Sequence, residues 1–418
     1  MVAALAGILV LATVPTAEAG SITPDAAADA TAWNSQRKIA RDSFGRLYVA
    51  LLVTDTALGE AVRVFRSGDG GRTWSPLPRV PDAANSMSRG SLAFDGRDRL
   101  HLAWTEAVGG DLQVFHAEWT GTGWQPRTQV STTPGYSGFP AIAADRQHRL
   151  HVAWYGFDGT TYQVYYRART GSAWGPPETV STGLQDANNP ALAVGPDDGP
   201  HVAWSFVAGF RWSVVYTNRE DRWAPAMTIS NTTNRALDPS LAVGSDSRVF
   251  ATWTEENPNG TRAVVARVRT GMTWGPPFAL AWFTAPGGHP AVALDGSGGA
   301  FVVWDQLDAA IRYRAYNGSW GPTQAFSANG TASFPAARWA AIANPLFPGA
   351  NRIDVVWTEA ANGSYSAVLA GIPVPSVGTA PTTSTDGATA FTIPAFILVV
   401  VALVVWRWRV RRHNGPPG

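Results

Sequence analysis

Apolar and polar positions alternate along most of this chain in runs of five to seven residues, each run closed by Gly, Asp or Pro. That period of two puts one face of a β-strand on a core and the other toward solvent. One run, Leu150-His151-Val152-Ala153-Trp154, returns at a fixed distance. Its relatives are His101-Leu102-Ala103-Trp104, His201-Val202-Ala203-Trp204, Phe250-Ala251-Thr252-Trp253, Phe301-Val302-Val303-Trp304 and Asp354-Val355-Val356-Trp357, and the closing tryptophans fall 49 to 53 residues apart. Repeats of about 40 to 50 residues that each hold several short strands are the signature of a β-propeller.

The third repeat shows the expected strands: A at 140–144, a turn at 145–149, B at 150–154, C at 163–169, and D after Trp174. Strand A is poor in bulk, as in Ala191-Leu192-Ala193-Val194 and Ala291-Val292-Ala293-Leu294. Small side chains suit the innermost strand, where blades converge on the axis. Strand D begins with a tryptophan followed two places later by Pro76, Pro126, Pro176, Pro225, Pro276 or Pro322. Proline donates nothing to a ladder and belongs on an edge, so D is expected outermost. The run Leu47-Tyr48-Val49-Ala50-Leu51 reads as a diverged first copy of strand B. The fold class expected is therefore all-β, a propeller of about seven four-stranded blades over 20–372, with six as the alternative if the first repeat is not a blade. The last repeat has candidates for A, B and C but no Trp-x-Pro strand, and residues 25–36 are the expected supplier of the missing edge.

Both ends carry membrane signals. Residues 2–14 are small and apolar, and Ala17-Glu18-Ala19 precedes a cut at Gly20, which reads as a secretory signal peptide over 1–19. The segment 373–390 is rich in Pro, Thr, Ser and Gly and reads as a solvated stalk. An apolar run at 391–406 leads into Arg407, Arg409, Arg411 and Arg412, so 391–410 is expected to cross a lipid bilayer and 411–418 to form a basic tail inside the cell. The propeller is then expected outside, at the cell membrane. The formal charge of +1, from 32 basic and 31 acidic residues, offers no field for nucleic acid. Cysteine is absent, which excludes disulfides and thiolate chemistry. No cofactor or metal is expected: His101, His151 and His201 sit at one position of three different blades and are read as strand packing. Asp42, Asp95, Asp145 and Asp295 are read as turn residues, and Asn231, Asn259, Asn317, Asn329 and Asn362 each open an Asn-x-Ser/Thr acceptor.

One local motif stands apart: Ser67-Gly68-Asp69-Gly70-Gly71-Arg72-Thr73-Trp74. Asp69 is placed to accept backbone N–H groups across a C–D turn, Gly71 to take a positive φ, and Trp74 to pack inward. The pattern Ser67, Asp69, Gly71, Trp74 resembles the Asp-box, or BNR repeat, of the sialidase-like propellers. The resemblance covers about 36–372, and it implies the propeller fold. It carries no catalytic residue over, because the Phe/Tyr-Arg-Ile-Pro motif that announces the family's arginine triad is replaced by Gln36-Arg37-Lys38-Ile39-Ala40, and the family enzymes have six blades. A non-catalytic member is expected.

Chain topology says where a site belongs. With A innermost, the D–A and B–C connections emerge on one face, and loops on one face of a rigid scaffold carry binding residues. At the mouth of strand A one equivalent position holds Arg89, Phe139, Asn189, Asp238, His289 and Phe334; just after the strand B tryptophan stand Glu106, Tyr155, Phe206, Glu255, Asp305 and Glu359. A repeated scaffold with an unrepeated rim is what a binding surface for a glycan or protein partner looks like. Two alternatives accompany that expectation: an exo-acting glycoside hydrolase of sialidase type, and an envelope scaffold without a specific ligand. Of the 19 tryptophans, twelve are explained by the repeat and Trp406 and Trp408 by the C-terminal membrane segment, and Trp33, Trp119, Trp212, Trp282 and Trp339 remain as candidate ligand platforms.

Overall fold

The computed structural model describes residues 20–374, apart from 24, 33–36, 56–58, 82–89, 182, 184–185, 210, 232, 285, 296, 307, 309, 328–330 and 341–351. The expected signal peptide over 1–19, the expected membrane segment 391–410, the basic tail and the expected stalk beyond residue 374 lie outside the described residues. No helix among the described residues is long and apolar enough to cross a membrane.

The strands form seven antiparallel sheets, each one blade. Blade 1 runs through Ile39–Arg41, Leu47–Asp55, Gly59–Ser67 and Ser75–Pro76, so the diverged first copy is a blade and the count is seven. In blade 3 the order is Ser137–Ala144, Leu150–Phe157, Tyr162–Thr170 and an outer edge in two pieces, Ala173–Trp174 and Glu178–Thr179. The proline after the tryptophan explains the break, since it removes a ladder donor. Trp124, Trp223 and Trp320 likewise make single bridges to their own third strands before the chain leaves the sheet. Inner strands of consecutive blades lie side by side around the axis. Ser91 Oγ there accepts the Arg37 N–H of blade 1 (3.1 Å) and the Ile142 N–H of blade 3 (3.3 Å).

Ring closure differs from expectation. The fourth strand of blade 7 is Gly20–Thr23, paired antiparallel to Ser364–Pro373. Residues 25–36 do not supply it: the described part runs along the end of Leu47–Asp55, where the Ala27 N–H donates to Leu52 O (3.0 Å) and the Thr54 N–H to Asp25 O (3.0 Å). With Gly20–Thr23 on the open edge, the described residues that follow it turn onto blade 1 instead. Thr31 meets Thr358 Oγ1 (2.7 Å), and Arg41 of blade 1 pairs with the buried Asp354 of blade 7, which also holds Arg352 (2.7 Å).

The core is distributed over the seven gaps between blades. Each apolar cluster joins two neighbours: Trp154 of blade 3, for example, packs with Ala93, Ala103, Val114 and Val130 of blade 2. Trp204, Trp253, Trp304 and Trp357 repeat this contact in the following gaps, and Trp104 in the preceding one. All six are buried. The gap between blades 7 and 1 has Leu51 in place of tryptophan and is filled by Ile22, Ala26 and Ala30. The outer tryptophans pack on the preceding blade, Trp223 edge-on to Tyr166 (5.1 Å) and Trp274 edge-on to Tyr216 (5.0 Å). Trp119 is buried and cannot serve as a platform, whereas Trp282 is exposed.

On the face opposite the D–A loops one turn motif recurs, and a second occurs in blade 1. Asp42, Asp95, Asp145 and Asp295 each accept backbone N–H groups two and four residues on, as Asp145 does from Gln147 (2.9 Å) and Arg149 (2.8 Å). The Ser67–Asp69 turn is held by Asp69 Oδ1, which accepts the Arg72 and Thr73 N–H groups (3.0 and 2.9 Å), while Gly71 takes φ +97°. Trp74 Nε1 closes it by donating to Gly71 O (3.1 Å). Burial opposes ionisation of Asp69, but the Thr73, Ser67 and Arg72 donors hold its carboxyl at about 2.

His101, His151 and His201 are buried within separate blades. His151 bonds Tyr166 Oη (2.6 Å) and Asp145 (3.1 Å), His201 bonds Tyr216 Oη (2.6 Å), and His101 meets His116 (3.0 Å).

Candidate functional site

The mouth of strand A is built by a repeated irregularity. In blades 3, 4 and 5 the pairing to strand B slips between Gly138 and Ala141, Asn188 and Ala191, and Leu237 and Ser240. Each slip is a β-bulge whose central residue has a left-handed backbone: Phe139 at φ 53°, Asn189 at 48° and Asp238 at 55°. Asn and Asp tolerate that conformation and Phe does not, and such strain concentrates at functional positions. The bulge rotates one side chain per blade out of the packed gap and toward the axis end. In blade 6, Gly287 and Gly288 take the positive φ and His289 follows them. Blade 7 has the same slip between Ser333 and Ala336, around Phe334, whose side chain lies outside what is described. Arg89 also lies outside the described residues, as do Trp33 and the side chains of Arg338 and Trp339.

On blade 3 the mouth is aromatic. Tyr155 lies 5.3 Å from Phe139 in a stacked arrangement and 5.4 Å from Tyr136; Tyr162 is 5.7 Å away, and Phe157 packs on Tyr162 at 5.3 Å. All five rings are half-buried, with one side toward solvent. Burial first, and then Tyr136 and Tyr162, push the Tyr155 phenol far above its ordinary value, so it stays a neutral donor and acceptor. Tyr136 and Phe157 have no aromatic counterparts in the other blades, and Tyr162 is matched only by Trp212 of blade 4 and Tyr365 of blade 7, so the repeat did not reveal the cluster. The only signal was local, three tyrosines and two phenylalanines within 27 residues.

On blades 4 to 6 the mouth is polar. Asn189 Nδ2 approaches Asp238 Oδ1 (3.4 Å). The His289 backbone N–H and Nδ1 both bond Asp305 Oδ1 at 2.9 Å. Asp305 is fully buried, and its Oδ2 has no hydrogen-bond partner among the described residues. Burial pushes the Asp238 carboxyl up, with Asp305 adding to it and His289 and Asn189 opposing. Burial would lower the His289 imidazole, yet the bond to Asp305 and the charges of Asp305 and Asp238 carry it above its ordinary value, against Arg262.

Three carboxylates from the strand B series are committed to the fold. Trp104 Nε1 donates to Glu106 (3.1 Å), Trp253 Nε1 to Glu255 (3.0 Å) and Trp357 Nε1 to Glu359 (2.9 Å), and all three glutamates are buried. Glu106 also pairs with Arg127 (3.1 Å). Beside this mouth, Arg235 and Arg262 share Glu256 (3.1 and 3.7 Å), Arg262 donates to Gly287 O (3.4 Å), and Arg235 sits 5.9 Å from the Trp212 ring. Arg37, which stands where the family's motif is replaced, is half-buried beside Ser91. A groove of about 550 Å³ lies elsewhere, between the outer strands of blades 5 and 6, where Phe278 stacks on Trp320; no carboxylate or histidine lines it.

No protein-family model and no curated protein matches the sequence. Solved structures do. An ulvan lyase, described as a new polysaccharide lyase family and bound to a GlcA(1-4)Rha3S unit, superposes with a TM-score of 0.62 at 9% identity, over 84% of this chain and 95% of that one. The α-L-arabinofuranosidase Arb93A of Fusarium graminearum gives 0.52 at 12% identity, over 86% and 98%. A Hadza microbial sialidase gives 0.45 at 12%, over 76% and 74%. At such identities the likeness shows the fold alone: a seven-bladed propeller of a shape shared with enzymes that act on glycans.

Proposed function

We propose that this chain is a membrane-anchored extracellular propeller that binds a glycan through the face bearing the D–A and B–C loops. The observation that carries the reading is the mouth itself, where Phe139, Tyr155 and Tyr162 stand on the same face as Asn189, Asp238 and His289. Sugars present an apolar C–H face and a rim of hydroxyls, and a half-buried aromatic cluster beside short amide, carboxylate and imidazole groups offers a match for both. The fold shared with glycan-acting enzymes is consistent with it, and the apolar run at 391–406 followed by arginines supports the anchor. The hydrolytic alternative is favoured by one observation, the Asp238–His289–Asp305 group, developed below.

A glycan array probed with the full chain, followed by calorimetry on the glycans retained, tests the reading. Tyr155→Ala and Phe139→Ala should each weaken binding at least about tenfold, the loss of one stacking contact of roughly 1.5 kcal/mol. An array with nothing retained, or variants that bind as the parent does, would overturn it.

A further inference from the structure

We propose that Asp238, His289 and Asp305 form an acid–base centre that hydrolyses a glycosidic bond of the glycan held at this mouth. This rests on the binding reading above and goes beyond it.

The roles follow from what each group is bonded to. Asp305 is fully buried, and His289 donates to it twice, from the backbone N–H and from ring Nδ1, each at 2.9 Å on one oxygen. The second oxygen has no hydrogen-bond partner among the described residues. A buried carboxylate without a cationic partner is costly by several kcal/mol. Asp305 therefore holds His289 as imidazolium with Nδ1–H fixed toward itself, which orients the ring and assigns the transferable proton to Nε2. Asp305 is a positioning residue, buried beneath the ring.

Asp238 reaches the same place from the neighbouring blade. Its left-handed bulge, before Pro239, turns it out of the strand and against Asn189, and its field is felt at His289. The charged groups facing His289 include Asp305 from its own blade, and Asp238 and Arg262 from blade 5. Blade 3's aromatic rings lie on the same rim.

The step balances without any further reactant. Asp238 as carboxylate accepts a proton from water while the water oxygen bonds to the anomeric carbon. The C–O bond to the leaving sugar breaks, and its oxygen takes the proton from His289 Nε2. Two hydroxyl-bearing fragments result, and solvent returns the proton from Asp238 to His289. The active form has Asp238 ionised and His289 protonated. Both groups are displaced upward from their ordinary ranges, about 3.9 for Asp and about 6.5 for His. Activity should rise as pH climbs through the Asp238 value and fall as it climbs through the His289 value, a bell whose limbs belong to the coupled pair.

The test uses the full chain and a panel of 4-methylumbelliferyl hexosides, pentosides, uronides and sialosides. Release from at least one member is expected, with a bell-shaped kcat/KM. Asp238→Asn and His289→Gln should each lower kcat at least about 100-fold while keeping the thermal midpoint. Asp305→Asn should move the alkaline limb to lower pH, because removing its charge makes the imidazolium easier to deprotonate; a purely structural role would leave the limb in place. No release from any member, or folded D238N and H289Q with parental activity, overturns the inference. If either variant fails to fold, the parent's pH profile decides: a profile without both limbs overturns it. Glycan retained on the array without turnover sinks catalysis alone, whereas an empty array sinks the binding reading first.

Discussion

Replacing Glu255 by alanine separates a carboxylate that builds the blade from one that binds at the rim. Glu255 accepts three donors: Trp253 Nε1 (3.0 Å), the Asn231 N–H (3.1 Å) and Asn234 Nδ2 (3.1 Å). Asn231 is exposed and Asn234 half-buried, so water replaces the carboxylate for both at little cost. Trp253 is 0% exposed, and its indole N–H has no route to water. An orphaned buried donor costs roughly 1–3 kcal/mol. The sister tryptophans Trp154, Trp204 and Trp304 have no indole partner among the described residues, so the fold tolerates the loss and the lower half of that range applies. Glu255→Ala should therefore destabilise by about 1–2 kcal/mol, and Glu255→Gln, which keeps an acceptor oxygen, by less than about 1 kcal/mol. Urea unfolding reads this as a fall in midpoint at unchanged slope. Glycan affinity of the folded Glu255→Gln protein should match the parent. Equal stability of E255A and the parent, together with lost glycan binding in E255Q, would refute the reasoning and return Glu255 to the rim.

Other perturbations probe the ring and its turns. Trp154→Ala removes the indole that fills the gap between blades 2 and 3 and should cost about 3–5 kcal/mol in the same urea assay. Arg41→Leu leaves the buried Asp354 with Arg352 alone and should cost about 3 kcal/mol, with proteolysis of the Gly20–Thr23 strand rising first. Asp69, held at about 2 and close to the usual 3.9 when unfolded, contributes stability that is present above about pH 4 and lost as pH falls through about 2. Asp69→Asn should flatten the acid limb of the thermal midpoint over that window.

The strand B tryptophans made the blades legible because a bulky ring fills six of the seven gaps, and the same need imposes the same spacing. The closing strand was hidden for the converse reason. Ser21-Ile22-Thr23 is three residues with no repeat partner, pressed against the expected cleavage site, and only its β-branched character hints at a strand. The histidines at one position of the second strands were read as packing within separate blades, and His151 and His201 do bond within their own blades. The mouth residues Asn189, Asp238 and His289 were read as one rim, and they approach one another because near the axis the same angular step spans a short distance. The bulge that aims these residues depends on paired register, which alternation alone does not report. Its trace in the sequence is the proline that follows the mouth residue in five repeats, at 140, 190, 239, 290 and 335.

Hydrogen exchange measured by mass spectrometry, with and without a glycan retained on the array, addresses the central claim most directly. The account predicts slowed exchange at 133–139, 155–162, 186–189, 234–238 and 287–289, all on the D–A and B–C face. Protection confined to the opposite face, at the 67–74 turn and the Asp145 and Asp295 turns, would contradict it.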